Sequence, residues 1–138
     1  MSEKEIVISL NEVKKSFDGK VVLNGVTFDV GPGETMVIMG GSGCGKSTLL
    51  RMIIGAIQPD PDSGHIKMLG QNVMGATEAE LNQLRLKYGI LFQSGALFQS
   101  MTIAENVALP LQEHTDLDEA TIDIMVKIKL ELVGLREH

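Results

Sequence analysis

Between residues 40 and 48 the chain reads Gly-Gly-Ser-Gly-Cys-Gly-Lys-Ser-Thr, that is, a glycine, four residues, a second glycine, then a lysine and two hydroxyl residues. This spacing restricts the fold more than any other stretch. Glycines let successive backbone N–H groups turn inward as an anion nest, and the nest works when a helix begins directly after it, adding the positive end of its dipole. The flanks agree. Thr35-Met36-Val37-Ile38-Met39 is apolar without alternation and predicts a strand buried on both faces, and Lys46 to about Ile57 predicts an apolar helix. The loop is therefore read as a phosphate cradle built from Gly40, Gly41, Ser42, Gly43, Cys44 and Gly45. Lys46 reaches the β- and γ-phosphates, Ser47 offers its hydroxyl to Mg²⁺, and Thr48 hydrogen-bonds the α-phosphate.

Cys44 sits where a helix N-terminus can depress a thiol pKa, which would suit a redox sensor. The plainer alternative, preferred here, is a small residue filling a permissive loop position. In either case alkylation there would obstruct a nucleotide.

With 138 residues, 43% of them hydrophobic, the chain has apolar material for one core and one α/β unit. A formal charge of -6 disfavours nucleic acid or an anionic membrane as a partner, because such binding draws on clustered Lys and Arg. The single cysteine excludes a disulfide framework and a zinc cage, which suits a reduced, cytoplasmic setting. Met1 to Glu5 is charged with no apolar region after it, and the stretch Leu49 to Ile57 is broken by Arg51 and Gly55. Neither a signal peptide nor a direct membrane span is expected, so any work at a membrane requires other chains.

Short β-type runs at 6–8, 13–17, 21–23 and 26–30 alternate with Asn11-Glu12, Asp18-Gly19 and Asn24-Gly25, which predicts an antiparallel start with hairpin turns. Pro59 to Gly64 stops the first helix, and His65 to Leu69 reads as a strand. Thr77-Glu78-Ala79-Glu80 and Thr102-Ile103-Ala104-Glu105 have capping-box spacing. The first opens a helix to about Leu86; the second opens a segment that Pro110 should end or kink. Tyr88 to Phe92 predicts another apolar strand. The last helix starts near Asp118, puts Ile122, Met125, Val126, Leu130 and Val133 on one face, and stops at Gly134.

Taken in order, Val13 to Gly19, then Val22-Leu23-Asn24-Gly25-Val26, then Pro32-Gly33-Glu34, then the glycine loop, resembles the opening of ABC-type ATPase subunits. Alone, Phe17 would read as core and Gln93 as a solvated loop residue. The resemblance instead implies that Phe17 stacks on adenine, that Val22 flanks the base, and that Gln93, in Leu91-Phe92-Gln93, contacts Mg²⁺ or the attacking water. It also implies that Pro59 to Gly64 and the Gly70-Gln71 turn follow the family pattern, and that Leu97-Phe98 with Met101 to Val107 forms the surface meeting a membrane-spanning partner. Phe92 to Phe98 and Val107 to Thr115 are similar to the ATPases of Mla-type phospholipid trafficking systems, once called toluene-tolerance transporters.

The implied architecture is α/β, a P-loop NTPase core with an antiparallel β subdomain and the start of a helical subdomain. Residues 1–34 would be mainly antiparallel β, 35–93 part of the core and 94–138 the start of the helical subdomain. The family continues with a signature motif, a Walker B Asp, a catalytic Glu and a switch histidine, none of which these residues contain. Asp118-Glu119 reads as a helix start, and His65, His114 and His138 read as surface histidines. A truncated ATPase domain is expected, one that binds ATP or ADP with Mg²⁺ but turns over negligibly, whose apolar strand 35–39 would lose neighbours and favour self-association. The intact relative would pair as a homodimer of ATPase subunits with transmembrane permease subunits, on the inner face of the cell membrane. The alternatives are a soluble non-transport ATPase of the same type and a non-catalytic nucleotide-binding fragment.

Overall fold

Asp18 and Gly19 adopt φ of 49° and 78°, the left-handed pair that a two-residue hairpin turn requires, and they join β1 (Ile8–Phe17) to β2 (Lys20–Val30). The computed structural model describes residues 5–135, so the charged start Met1 to Lys4 and the surface reading of His138 lie outside the described residues. The chain divides into two units, Met1–Gly89 and Ile90–His138.

In the first unit β3 (His65–Met68) and β4 (Gln71–Asn72) complete an antiparallel sheet of order β2-β1-β3-β4. The β3–β4 turn is Leu69-Gly70, both at positive φ, so Gln71 begins β4 and does not belong to the turn. Asn24-Gly25 is not a turn and Asn11-Glu12 does not separate two strands, contrary to the sequence expectation. Both lie inside continuous strands, at register shifts between Leu10 and Val13 and between Val13 and Lys15. Glu12 (φ 45°) and Gly25 (φ 74°) absorb these bulges, because each strand in turn carries one residue more than its partner. A side chain at Gly25 would meet only the movable end of the exposed Glu12 side chain, at 2.9 Å, so it is the positive φ that calls for glycine there.

Helices α1 (Lys46–Ile53) and α2 (Glu78–Arg85) supply Leu49, Met52, Ile53, Leu81 and Leu84 to a core completed by Leu10, Val13, Leu23, Ile66, Met68 and Val73 of the sheet side. Burying one such aliphatic side chain contributes about 1.5–3 kcal/mol, and this cluster is the main source of cohesion in the unit. Helix α1 stops four residues earlier than the periodicity predicts. Gly55 (φ 74°) ends it in a Schellman arrangement, with Ala56 N–H donating to Arg51 O (2.8 Å) and Gly55 N–H to Met52 O (3.0 Å).

The second unit packs α3 (Ile103–His114) on α4 (Glu119–Leu132), burying Ile122, Val126 and Leu130 against Val107, Ala108 and Leu111. Met125 is half-buried, while Val133, expected on this face, is exposed because it is the C-cap of α4, outside the helical repeat. Helix α3 does not end at Pro110; it runs on to His114, where the Thr115 hydroxyl and N–H both donate to Leu111 O. Pro110 has no N–H to donate, and the helix continues past it for four residues.

Both capping boxes form. Thr77 and Glu80, and Thr102 and Glu105, exchange backbone and side-chain bonds, and Asp118 caps α4 through Thr121 N–H at 2.9 Å. These bonds from backbone N–H groups hold the carboxyls of Glu80, Glu105 and Asp118 below their ordinary values.

The two expected apolar strands are absent among the described residues. Residues 35–39 and 88–92 join no ladder, and Met39 and Leu91 are 85% and 93% exposed. A strand that is apolar on both faces needs hydrogen-bonding neighbours on its edges and cover on its faces, and the described residues provide neither run with a ladder partner.

Candidate phosphate-binding site

The glycine loop leads into α1 as the spacing requires. Its last glycine, Gly45, is the N-cap, with φ 100°, a value that residues with side chains rarely adopt. A Cβ on Gly45 would meet Val22 Cγ1 at 2.9 Å, Leu23 Cδ2 at 3.0 Å and the Val22 carbonyl at 3.2 Å. The loop thus lies close against the first half of β2, and Val22 is brought to its edge. Gly40 is similarly confined by the Cys44 sulfur.

Helices α2, α3 and α4 have side-chain caps, but α1 has none, and its first turn contains no acidic residue. The first bond within α1 runs from Leu49 N–H to Gly45 O at 2.8 Å, so the N–H groups of Lys46, Ser47 and Thr48 precede the helical ladder. An anion on this end would be met by aligned N–H dipoles with no carboxylate competing for them. Lys46 curls back over the loop, its Nζ donating to Gly40 O at 2.8 Å and Gly41 O at 2.6 Å, 3.6 Å from Cys44 Sγ. A flexible ammonium is therefore held at the mouth of the cradle. The donor set, namely orphan N–H groups, one ammonium and the hydroxyls of Ser47 and Thr48, suits the phosphates of a nucleotide, and the Ser47 hydroxyl is of a type that could ligate a magnesium ion. Ser47 is exposed and Thr48 half-buried. Cys44 is exposed and forms no disulfide.

Phe17 ends β1 and is 43% exposed. Gln93 lies in the second unit, in an exposed turn, whereas the loop, Val22 and Phe17 belong to the first. His65 is half-buried, its Nε2 3.4 Å from Ser9 Oγ, and His114 is exposed.

Two arrangements escaped sequence reasoning. Lys15 Nζ stands 5.3 Å from the Phe17 ring centroid and 3.4 Å from Asp60 Oδ1. The turn that carries Asp60 is also fastened to β1 by Lys14–Asp62 (2.8 Å), by Asp60 N–H to Lys14 O (3.0 Å), and by Ser63 Oγ, which accepts from Lys14 N–H and donates to Lys14 O. Asp62 raises the Lys14 pKa and is itself lowered. The alternating charges of Lys14-Lys15 and Asp60-Asp62 were the available signal. In the second unit, Asn106 ties the loop before α3 to the helix: its Oδ1 accepts from Phe98 N–H (2.8 Å) and its Nδ2 donates to Phe98 O (3.1 Å) and Thr102 O (2.9 Å). This bracing accompanies an exposed apolar set of Leu97, Phe98, Met101 and Ile103.

Residues 23–137 match the family model described as ABC transporter. The chain is 40% identical over 130 residues to the probable ribonucleotide transport ATP-binding protein mkl of Mycobacterium leprae, covering 94% of this chain and 37% of that protein. It is 39% identical over 130 residues to the intermembrane phospholipid transport system ATP-binding protein MlaF of Escherichia coli K12, covering 94% and 48%. Among solved structures, the ATP-binding cassette MJ0796, a dimer in a post-hydrolysis state bound to ADP and Pi, superposes with a TM-score of 0.80 at 27% identity, covering 92% of this chain and 57% of that one. The chain spans less than half the length of these two curated relatives.

Proposed function

The chain belongs to the ABC transporter family, and from that premise we propose that it is the ATP-binding, energy-coupling part of a membrane transporter for phospholipid or another hydrophobic substrate. The observation that carries the nucleotide reading is the uncapped, acid-free N-terminus of α1 with Lys46 folded over its glycine loop. The lipid reading rests on the similarity to MlaF; the name of the mycobacterial relative speaks of ribonucleotides instead.

Bound Mg-ATP supplies a phosphoryl group and most of the local charge. The protein's part is to grip and orient. The N–H groups opening α1 would hold phosphate oxygens, Lys46 would exchange its carbonyl partners for them, Ser47 would ligate the magnesium ion, Thr48 would bond the α-phosphate, and Phe17 and Val22 would hold the base. Gln93 would position water or the metal. In this proposal residues 1–34 form the base-holding sheet region, 35–93 the phosphate-gripping core part and 94–138 the helical part, whose braced apolar set meets a transmembrane permease. A second ATPase subunit completes the hydrolytic site at the cytoplasmic face of the membrane.

Calorimetric titration of the 138-residue chain with Mg-ATP and Mg-ADP, with phosphate release followed in the same samples, tests this. Saturable binding of both nucleotides with negligible release is expected, since the visible residues supply the grip but no general base. A folded sample that takes up neither nucleotide would sink the nucleotide reading, and steady phosphate release would sink the division of labour.

A further inference from the structure

Lys15 is an unusual place to find a lysine. Its side chain is only 16% exposed, its Nζ is shared between Asp60 Oδ1 at 3.4 Å and the Phe17 ring at 5.3 Å, and the Asp60 side chain is itself only 21% exposed. A solvated lysine gains little from an ion pair and loses rotamer freedom in making it. Here the stem is covered, so the ammonium has few other positions to take. Phe17, by contrast, is 43% exposed and ends its strand at the hairpin turn, where an aromatic ring would otherwise be free to choose between rotamers.

We propose that Lys15, held in place by Asp60, is a positioning residue that fixes the Phe17 ring for stacking on the base of the nucleotide. The inference rests on the reading of Phe17 as the base-stacking aromatic and adds to it what sets the ring's orientation. A cation on one face of a phenyl ring is attracted by its quadrupole and occupies that face, leaving the opposite face for an electron-rich purine. The anchor of the ammonium is also specific. Asp60 belongs to the turn that follows the phosphate-loop helix, and that turn is tied to β1 by the Lys14–Asp62 pair and the two Ser63 Oγ bonds. The ring that would hold the base is thereby referenced to the segment following the helix whose N-terminus would hold the phosphates. Distance between base and phosphate sites is set by covalent and ionic fastening, not by the ring's own preferences.

The test measures affinities of the whole chain for Mg-ATP and for magnesium tripolyphosphate, which carries the phosphates and no base. Lys15→Met keeps the stem and removes the charge. It is expected to weaken Mg-ATP binding about twofold to fivefold, the range of a single cation–π contact, while leaving tripolyphosphate affinity unchanged. Lys15→Arg restores the wild-type ratio, and in a Phe17→Ala background Lys15→Met has no further effect. If Phe17→Ala leaves Mg-ATP affinity intact, the base-stacking reading itself fails. If Phe17→Ala weakens it and Lys15→Met does not, the positioning role alone fails. Equal weakening of ATP and tripolyphosphate, or effects of the two substitutions that simply add, would also overturn it by assigning Lys15 a general structural part. Should Lys15→Met fail to fold, Asp60→Asn reads the same relay from its other end with the same expected ratio.

Discussion

Lys46→Ala is expected to weaken Mg-ATP binding about tenfold to a hundredfold, the equivalent of losing charge-assisted hydrogen bonds to phosphate, with little change in the folded baseline. The lysine side chain serves no core contact; its Nζ bonds only loop atoms, namely Gly40 O, Gly41 O and the Cys44 sulfur. Its removal frees two exposed carbonyls that water can satisfy, so the cost to folding is small and the cost to an incoming polyphosphate is large. Calorimetry of the variant beside the wild type, with circular dichroism on both, separates these effects. An unchanged dissociation constant would mean that the ammonium never leaves the loop carbonyls, and the phosphate-gripping role of Lys46 would be lost.

The second large effect is on stability. Ile66→Ala should lower the unfolding free energy by about 2–5 kcal/mol, a substantial share of the roughly 5–15 kcal/mol that a domain possesses. Ile66 is fully buried, lies on β3 opposite Leu10 of β1, and belongs to the cluster that also contains Met52 of α1. Sheet and helix meet over it, so backbone collapse into the vacated space would require unzipping a ladder. Ile124→Ala, at a site 57% exposed on α4, is the matched control and should stay within about 0.5 kcal/mol. Urea unfolding reads both, and a loss below about 1 kcal/mol at Ile66 would show that the sheet and α1 do not share one cooperative core.

Elements specified by neighbouring residues were legible in the sequence. Asp18-Gly19 makes its turn because both residues tolerate positive φ; Thr77 and Thr102 find their glutamates three residues on; Gly134 ends α4 with Leu135 N–H donating to Leu130 O at 2.8 Å. Elements that depend on distant partners were legible only in part: β3 was, although it pairs with β1, but others were not. Asn24-Gly25 carries the same local signal as Asp18-Gly19, yet the pairing of Val13 with Val26 and of Lys15 with Leu23 converts it into a bulge. The apolar runs 35–39 and 88–92 carry a strand composition, but a strand exists only where another strand offers its N–H and C=O groups. In the candidate site, the cradle was legible because one short segment supplies all its donors. The contact of Gly45 with Val22 and Leu23, and the hold of Asp60 on Lys15, were not, since each joins segments separated by more than twenty residues.

The sheet order has a consequence for how the chain reaches this state. Strand β1 pairs on one side with β2, across a two-residue turn, and on the other with β3, after a detour through residues 31–64 that includes the glycine loop and α1. Closing the short turn costs far less chain entropy than closing the long detour, so the hairpin should assemble first and the detour be captured afterwards. Gly19→Ala should then depress the refolding rate, while Ser63→Ala should chiefly raise the unfolding rate, and chevron plots with the two effects exchanged would reverse that order. On this order the segment proposed to grip phosphate is among the last parts of its unit to be secured and among the first to be released. A ligand there acts as a latch on an excursion already tied at both ends to β1, slowing its escape without having helped to form the hairpin.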